Sequence, residues 1–224
     1  MVMPLQSEAN PTIDYPDSDG KPMADNTKQF RWIVTIKENL ELLFANDPNV
    51  FVAGDLLWYP IEGNNKICTA PDAMVVFGRP KGDRGSYKQW EEQNIPPQVV
   101  FEILSPGNTQ TEMERKLLFY DRHGVEEYYV YNPENNELQG WLRVEGCLDA
   151  IVTIHHWSSP RLGVRFDTSM NPIQIYHPDG QPFLSYLQLD AVLRQERQRA
   201  EAERQRADRF AERLRQLGID PNEV

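Results

Sequence analysis

A chain of 224 residues with 40% hydrophobic content can bury one sizeable core with a short appendage left over. Its formal net charge of −11 argues against a nucleic-acid coat protein, because phosphate contacts need Lys and Arg to displace condensed counterions; an enzyme that holds divalent cations among carboxylates can still be acidic overall. No run approaches the roughly 18 apolar residues of a membrane span, residues 1–10 lack the blocks of a signal peptide, and Cys68 and Cys147 form no CxxC pair, so a cytoplasmic protein without a membrane partner is expected.

Residues 1–24, with Asp14, Pro16, Asp17, Asp19, Gly20 and Pro22, read as an irregular arm carrying little chemistry. Asn26 or Thr27 then caps a helix whose apolar residues Ile33, Ile36, Leu40, Leu43 and Phe44 recur at helical spacing until Asn46-Asp47-Pro48 stops it. Val50 to Tyr59, Ala70 to Phe77 and Gln98 to Leu104 read as strands. Between the last two lies a long loop, Gly78 to Pro97, where Arg79, Lys81, Arg84 and Lys88 occur with Tyr87 and Trp90. Loops this long inside compact domains tend to be functional or disordered.

A second helix is expected from Thr109 to His123, ended by Gly124, followed by a strand over Glu126 to Tyr131. Glu137 to Val144 and Leu148 to His155 resemble a hairpin around Glu145-Gly146, and Arg161 to Phe166 adds a strand. The compact domain thus spans residues 25–186. Residues 187–217 hold eight arginines against six acids with no Gly or Pro, a long helix of net charge +2 that leaves −13 for the rest, and residues 218–224 form a tail. A heptad frame places Leu193, Ala200, Ala207 and Leu214 at a and Glu196, Glu203, Phe210 and Leu217 at d, apolar only in its second half. A solvated single helix and a short coiled coil forming a homodimer both fit that seam.

The informative chemistry is a set of acids inside apolar strands: Asp55 in Phe51-Val52-Ala53-Gly54-Asp55-Leu56-Leu57, Asp72 at the head of Ala73-Met74-Val75-Val76-Phe77, and Glu102 within Val99-Val100-Phe101-Glu102-Ile103-Leu104. An unpaired carboxylate is expensive to bury, so something must compensate each one. Taken singly, a buried Arg or a backbone cap is the simpler partner. A hard divalent cation satisfies all three at once, whereas zinc would prefer nitrogen or sulfur.

On the second helix Glu112, Lys116 and Tyr120 share one face, beside the apolar Met113, Leu117 and Leu118. The Lys116 stem can lie along that stripe and carry its ammonium toward the acids; pairing with Glu112 at the surface is the plainer alternative. On the first helix Gln29 lies on the inward face and Glu38 nearly opposite it, which makes Gln29 the better accessory residue. The cationic loop, with Arg79, Lys81, Arg84 and Lys88, is the candidate for touching a phosphodiester backbone, set against the reading of an ordinary solvated loop. His123, His155, His156 and His177 show no metal-binding spacing.

The ordered set Pro71-Asp72, Phe101-Glu102-Ile103-Leu104-Ser105-Pro106, Lys116-Leu117-Leu118-Phe119-Tyr120 and Gly124-Val125-Glu126-Glu127-Tyr128-Tyr129-Val130 resembles the Uma-type restriction endonucleases of the PD-(D/E)XK nuclease superfamily, over roughly Asp25 to Phe166. The resemblance implies an α/β (α+β) restriction-endonuclease-like core, a central mixed sheet flanked by helices. It implies Asp72 and Glu102 as metal ligands, the Ile103 carbonyl as a third, Asp55 as an acid of the preceding strand, and Lys116 with accessory Tyr120 at the rim. One departure is clear: the superfamily's Glu-X-Lys reads Glu102-Ile103-Leu104, so Lys116 on the helix takes the lysine's part. The expected activity is Mg²⁺-dependent hydrolysis of DNA, with Mn²⁺ as a substitute; the rival is an inactive relative that kept the fold as an interaction module.

Overall fold

A computed structural model describes residues 13–217 and residue 220; the first 12 residues of the expected arm and positions 218, 219 and 221–224 of the expected tail lie outside the described residues. Helix α1 (Thr27–Leu43) starts where Asn26 accepts hydrogen bonds from the backbone N–H groups of Lys28 and Gln29, two of the donors a helix start leaves unpaired. Helix α2 (Gln110–Arg122) starts the same way at Thr109, whose hydroxyl accepts from the Glu112 N–H.

Six strands form the central mixed sheet: β1 (Val50–Ala53), β3 (Ala73–Phe77), β5 (Val99–Ile103), β6 (Glu127–Asn132), β7 (Glu137–Val144) and β8 (Cys147–Ala150), side by side in that order. Only β5 and β6 run parallel, and α2 connects them. Two smaller pairs, parallel β2 (Trp58–Tyr59) with β4 (Tyr87–Lys88) and antiparallel β9 (Arg165–Asp167) with β10 (Gln174–Tyr176), complete the strands of the described residues.

Alternation along β3 and β5 divides the core into two layers. Ala73, Val75, Val99, Phe101 and Ile103 pack with Ile33, Ile36 and Leu40 of α1. Met74, Val76 and Val100 pack on the other side with Tyr120, Met113 and Leu117 of α2. Every even-numbered position of β5 therefore faces α2, Glu102 among them.

Three expectations change. The strand expected over Val50 to Tyr59 breaks in two, because Asp55 adopts a left-handed conformation (φ 49°) and donates its N–H to the Pro71 carbonyl at 3.0 Å. The second hairpin arm stops at Ala150, after which Ile151, Ile154 and Trp157 turn into the core over Gly140, where a Cβ would lie 2.8 Å from Ile154 and 3.0 Å from Ile151. The long loop over residues 78–97 carries structure of its own: β4, then a 3-10 turn over Gln89–Glu92.

Residues 184–224 form a second compact unit. Its helix α3 (Tyr186–Gln216) opens on a reciprocal capping box between Ser185 and Gln188 and buries no residue. Leu193, Phe210 and Leu217 are exposed on it. No helix of the described residues is long and apolar enough to cross a membrane.

Candidate active site

The register of β3 against β5 pairs Ala73 with Phe101 and Met74 with Val100, so continuing it by one residue sets Asp72 opposite Glu102. Both side chains are buried, Asp72 8% and Glu102 2% exposed. They are fixed by different means. An Asp72 carboxylate oxygen accepts the Ile103 backbone N–H at 2.5 Å. Glu102 Oε2 accepts from Lys116 Nζ at 2.7 Å, and its Oε1 accepts from the Tyr120 hydroxyl.

The pairing of Lys116 is thereby settled in favour of Glu102 over Glu112, and Lys116 stays largely covered, its side chain 22% exposed. Burial by itself would lower the Lys116 pKa, but the Glu102 charge and hydrogen bond outweigh it and hold the amine protonated, above its ordinary value. Tyr120 is fully buried, and burial followed by the neighbouring Glu102 charge pushes its hydroxyl well up, so it acts as a hydrogen-bond donor.

Asp72 is the strained member. Burial and then the like charge of Glu102 push its carboxyl well above the usual range, while the Ile103 N–H and Lys116 only partly offset them. Asp55, in its turn beside the head of β3, is also pushed up by burial and by the charge of Asp19, against the pull of Lys116. Two crowded carboxylates of one sign, with hard oxygen donors and one amine bound to Glu102, are what a divalent cation relieves, so the donor set of Asp72 and Glu102 fits such an ion. Asp55 lines the same cleft as Asp72, and the Ile103 carbonyl keeps one lone pair after accepting from Gln29 Nε2 at 2.8 Å.

Gln29, the expected accessory residue, lines the same cleft. Its amide nitrogen is spent on the Ile103 carbonyl and its oxygen accepts the Asp25 N–H at 2.8 Å, so it braces the end of β5. The basic residues of the expected cationic loop are mostly engaged within it. Arg79 Nε and Arg84 Nε both bind Glu92, at 2.7 and 2.6 Å, with Arg84 also lying 3.9 Å over the Phe51 ring. Lys88 pairs loosely with Glu91 at 3.7 Å, and exposed Lys81 lines a different pocket. None of the four lines the cleft that holds Asp72, and three of them pair with acids of their own loop.

The cleft, of about 470 Å³, is walled instead by residues the sequence passed over. Asp19, Lys21 and Asp25 come from the segment read as a lead-in with little chemistry. That segment is anchored: Tyr15 packs on Tyr59 and Trp90, the Tyr59 hydroxyl donates to the Pro16 carbonyl at 2.7 Å, and Asn65 Nδ2 donates to the Asp14 carbonyl at 2.8 Å. Tyr15, the one aromatic ring of residues 13–25, is the signal the sequence offers. Glu112 and Asn108 close the other side.

Away from this cleft, the histidines behave differently from their spacing. His155, His156 and Asp167 bring donor atoms within 4.8 Å of one another, the one such trio among the described residues; Asp55, Asp72 and Glu102 do not gather so closely. Asp167 Oδ1 already accepts two bonds from Ser169, and Arg165 sits 3.2 Å from His156 Nδ1.

A solved structure from Anabaena variabilis, titled as a putative nuclease belonging to DUF820, superposes with a TM-score of 0.50 over 66% of this chain and 82% of that one, at 15% identity, which is a likeness of fold. No curated protein matches. The family model Uma2, described as "Putative restriction endonuclease", matches residues 5–164. The chain is a member of this family, Uma2.

Proposed function

We propose that this chain is a Mg²⁺-dependent endonuclease that hydrolyses DNA phosphodiester bonds at the cleft of Asp72, Glu102 and Lys116. The observation that carries the reading is the arrangement of two buried carboxylates across adjacent strands, on one face, with a protonated amine 2.7 Å from one of them. Asp72 and Glu102 would hold the metal, with Asp55 and the Ile103 carbonyl as further oxygen donors. When bound, Mg²⁺ supplies Lewis-acid polarisation of the phosphate and a lowered pKa for the attacking water.

The chain's own residues have separable tasks. Lys116, held charged by Glu102, sits where it can stabilise negative charge developing on the phosphate or orient the water through a donated hydrogen bond. Tyr120 donates to the second oxygen of Glu102 and so fixes the orientation of this carboxylate. Gln29 binds the carbonyl of Ile103 and Asp72 accepts its N–H, and together they fix the end of β5. Mn²⁺ is expected to replace Mg²⁺, since both accept the same oxygen donors.

The test is cleavage of plasmid and single-stranded DNA with Mg²⁺ and with a chelator, by the native chain and by Asp72→Ala. Cleavage by the native chain with Mg²⁺ alone is the expected result. Equal nicking by native and variant chains would end the assignment.

A second reading is favoured by one observation: both oxygens of Glu102 already have protein donors. A chain that kept this fold without turnover would act as an interaction module, assembling as a homodimer through residues 187–217. It predicts no metal-dependent cleavage and loss of self-association when those residues are deleted.

A further inference from the structure

We propose that a single nucleic-acid strand lies across a second groove on α2, adjoining the cleft, with its phosphates on Lys66, Arg115 and Arg122 and an unpaired base on Leu118 and Phe119. This rests on the nuclease reading and supplies the substrate contact that the loop over residues 78–97 does not. The groove, of about 390 Å³, shares Cys68 as a wall with the cleft that holds Asp72, so the two are neighbours.

Helical geometry builds it. Arg115, Leu118, Phe119 and Arg122 stand at i, i+3, i+4 and i+7, one stripe of α2, while Glu112, Lys116 and Tyr120 form the neighbouring stripe that meets Glu102. One helix therefore presents the amine of the candidate site and, a fraction of a turn away, a row of cations. Lys66 joins them from the segment between β2 and β3.

Charge and shape select the occupant. Among the described residues Lys66, Arg115 and Arg122 are exposed and make no ion pair, unlike Arg79 and Arg84, which share Glu92. Three uncompensated cations on an otherwise acidic chain call for a polyanion. His123, on the same groove, is held below its ordinary value by burial and then by the Arg122 charge. Leu118 is 65% exposed at the centre of the stripe, and Phe119 lies beside it. An apolar floor between cations suits a base freed from its partner, because a duplex turns its phosphates outward and keeps its base faces stacked.

The experiment measures binding of a labelled single-stranded oligonucleotide and of its duplex to the full chain by fluorescence anisotropy, across a salt series, with Ca²⁺ offered in place of Mg²⁺. The native chain is compared with the Lys66→Ala, Arg115→Ala, Arg122→Ala triple variant, with Leu118→Ala, and with Lys81→Ala as a control for general charge; thermal melts establish that each folds. The triple variant is expected to lose affinity for the single strand about tenfold or more, with a salt slope shallower by about 2, near 0.7 for each lost phosphate contact. Leu118→Ala loses a smaller factor, Lys81→Ala loses none, and the duplex binds more weakly than the strand. A triple variant equal to the native chain in affinity and slope overturns the groove while leaving the nuclease reading standing if cleavage persists. A change in self-association instead of strand binding assigns the groove to a second copy and overturns the proposal. A native chain that neither binds nor cleaves overturns both.

Discussion

Two buried acids of the central sheet, on strands that flank β5, have opposite fates. Glu127 of β6 is completely buried, and its carboxylate accepts from the Tyr129 hydroxyl at 2.9 Å, from the Arg161 N–H at 2.6 Å and from the Ser159 hydroxyl. Asp72 at the head of β3 is nearly as buried but has one backbone N–H for a partner and the charge of Glu102 beside it. Burial raises both carboxyls; it raises Asp72 well above the usual range because like charge adds to burial there, whereas neutral donors oppose burial around Glu127. Burial of an acid alone therefore does not mark a site. A shortfall of donors, facing a cleft, does.

The largest effect that would break the comparison is at Asp72. Asp72→Ala should lower Mg²⁺-dependent cleavage by about 10³-fold or more, the scale expected when a metal ligand or a transition-state contact is lost. In the metal-free protein Asp72→Asn should raise Tm, because it removes a crowded buried charge; differential scanning calorimetry in a chelator checks this. A Tm that falls would mean that Asp72, like Glu127, is a structural acid.

Lys116→Met should reduce cleavage on the order of 10²-fold while keeping the stem's packing, read from single-turnover rates. Glu127→Leu sharpens the other side of the contrast: it leaves Ser159, Tyr129 and the Arg161 N–H without an acceptor and should destabilise by about 2–4 kcal/mol in urea melts, with cleavage by the folded fraction unchanged. The smallest effect is at Glu92. Burial pulls its pKa up, but Arg84 and Arg79 outweigh that and hold it low. A carboxyl whose folded pKa is depressed contributes stability that is present above its unfolded value, near about 4.3, and lost as pH falls through the lower folded value. Glu92→Gln should flatten the acid limb of the stability profile between those two points and leave cleavage at neutral pH untouched.

Much of this frame was legible in the chain. The Ile33, Ile36, Leu40 stripe and the Asn26 cap marked α1, and the apolar runs around Asp72 and Glu102 marked the two strands that carry the site. Alternation then put both acids on the face that α2 covers. What stayed hidden depends on contacts between distant residues. Gln29 meets the Ile103 carbonyl across 74 positions, and no local pattern announces it. Arg79 and Arg84 looked available because spacing shows a charge without its partner, and Glu92 lies beyond any helical or strand register from them. Glu127 escaped notice because Glu126-Glu127 reads as the polar start of a strand, although only Glu126 reaches outward, to Arg161 at 2.6 Å. The residues after Tyr15 read as a turn-rich arm because wall-building by Asp19, Lys21 and Asp25 needs no periodicity.

The central claim is that Asp72 and Glu102 share one hard cation, and crystals soaked in Mn²⁺ test it directly through anomalous density. The account predicts a peak bounded by those two carboxylates, near the Ile103 carbonyl and within reach of Lys116. A peak confined to His155, His156 and Asp167, with none between Asp72 and Glu102, would contradict it.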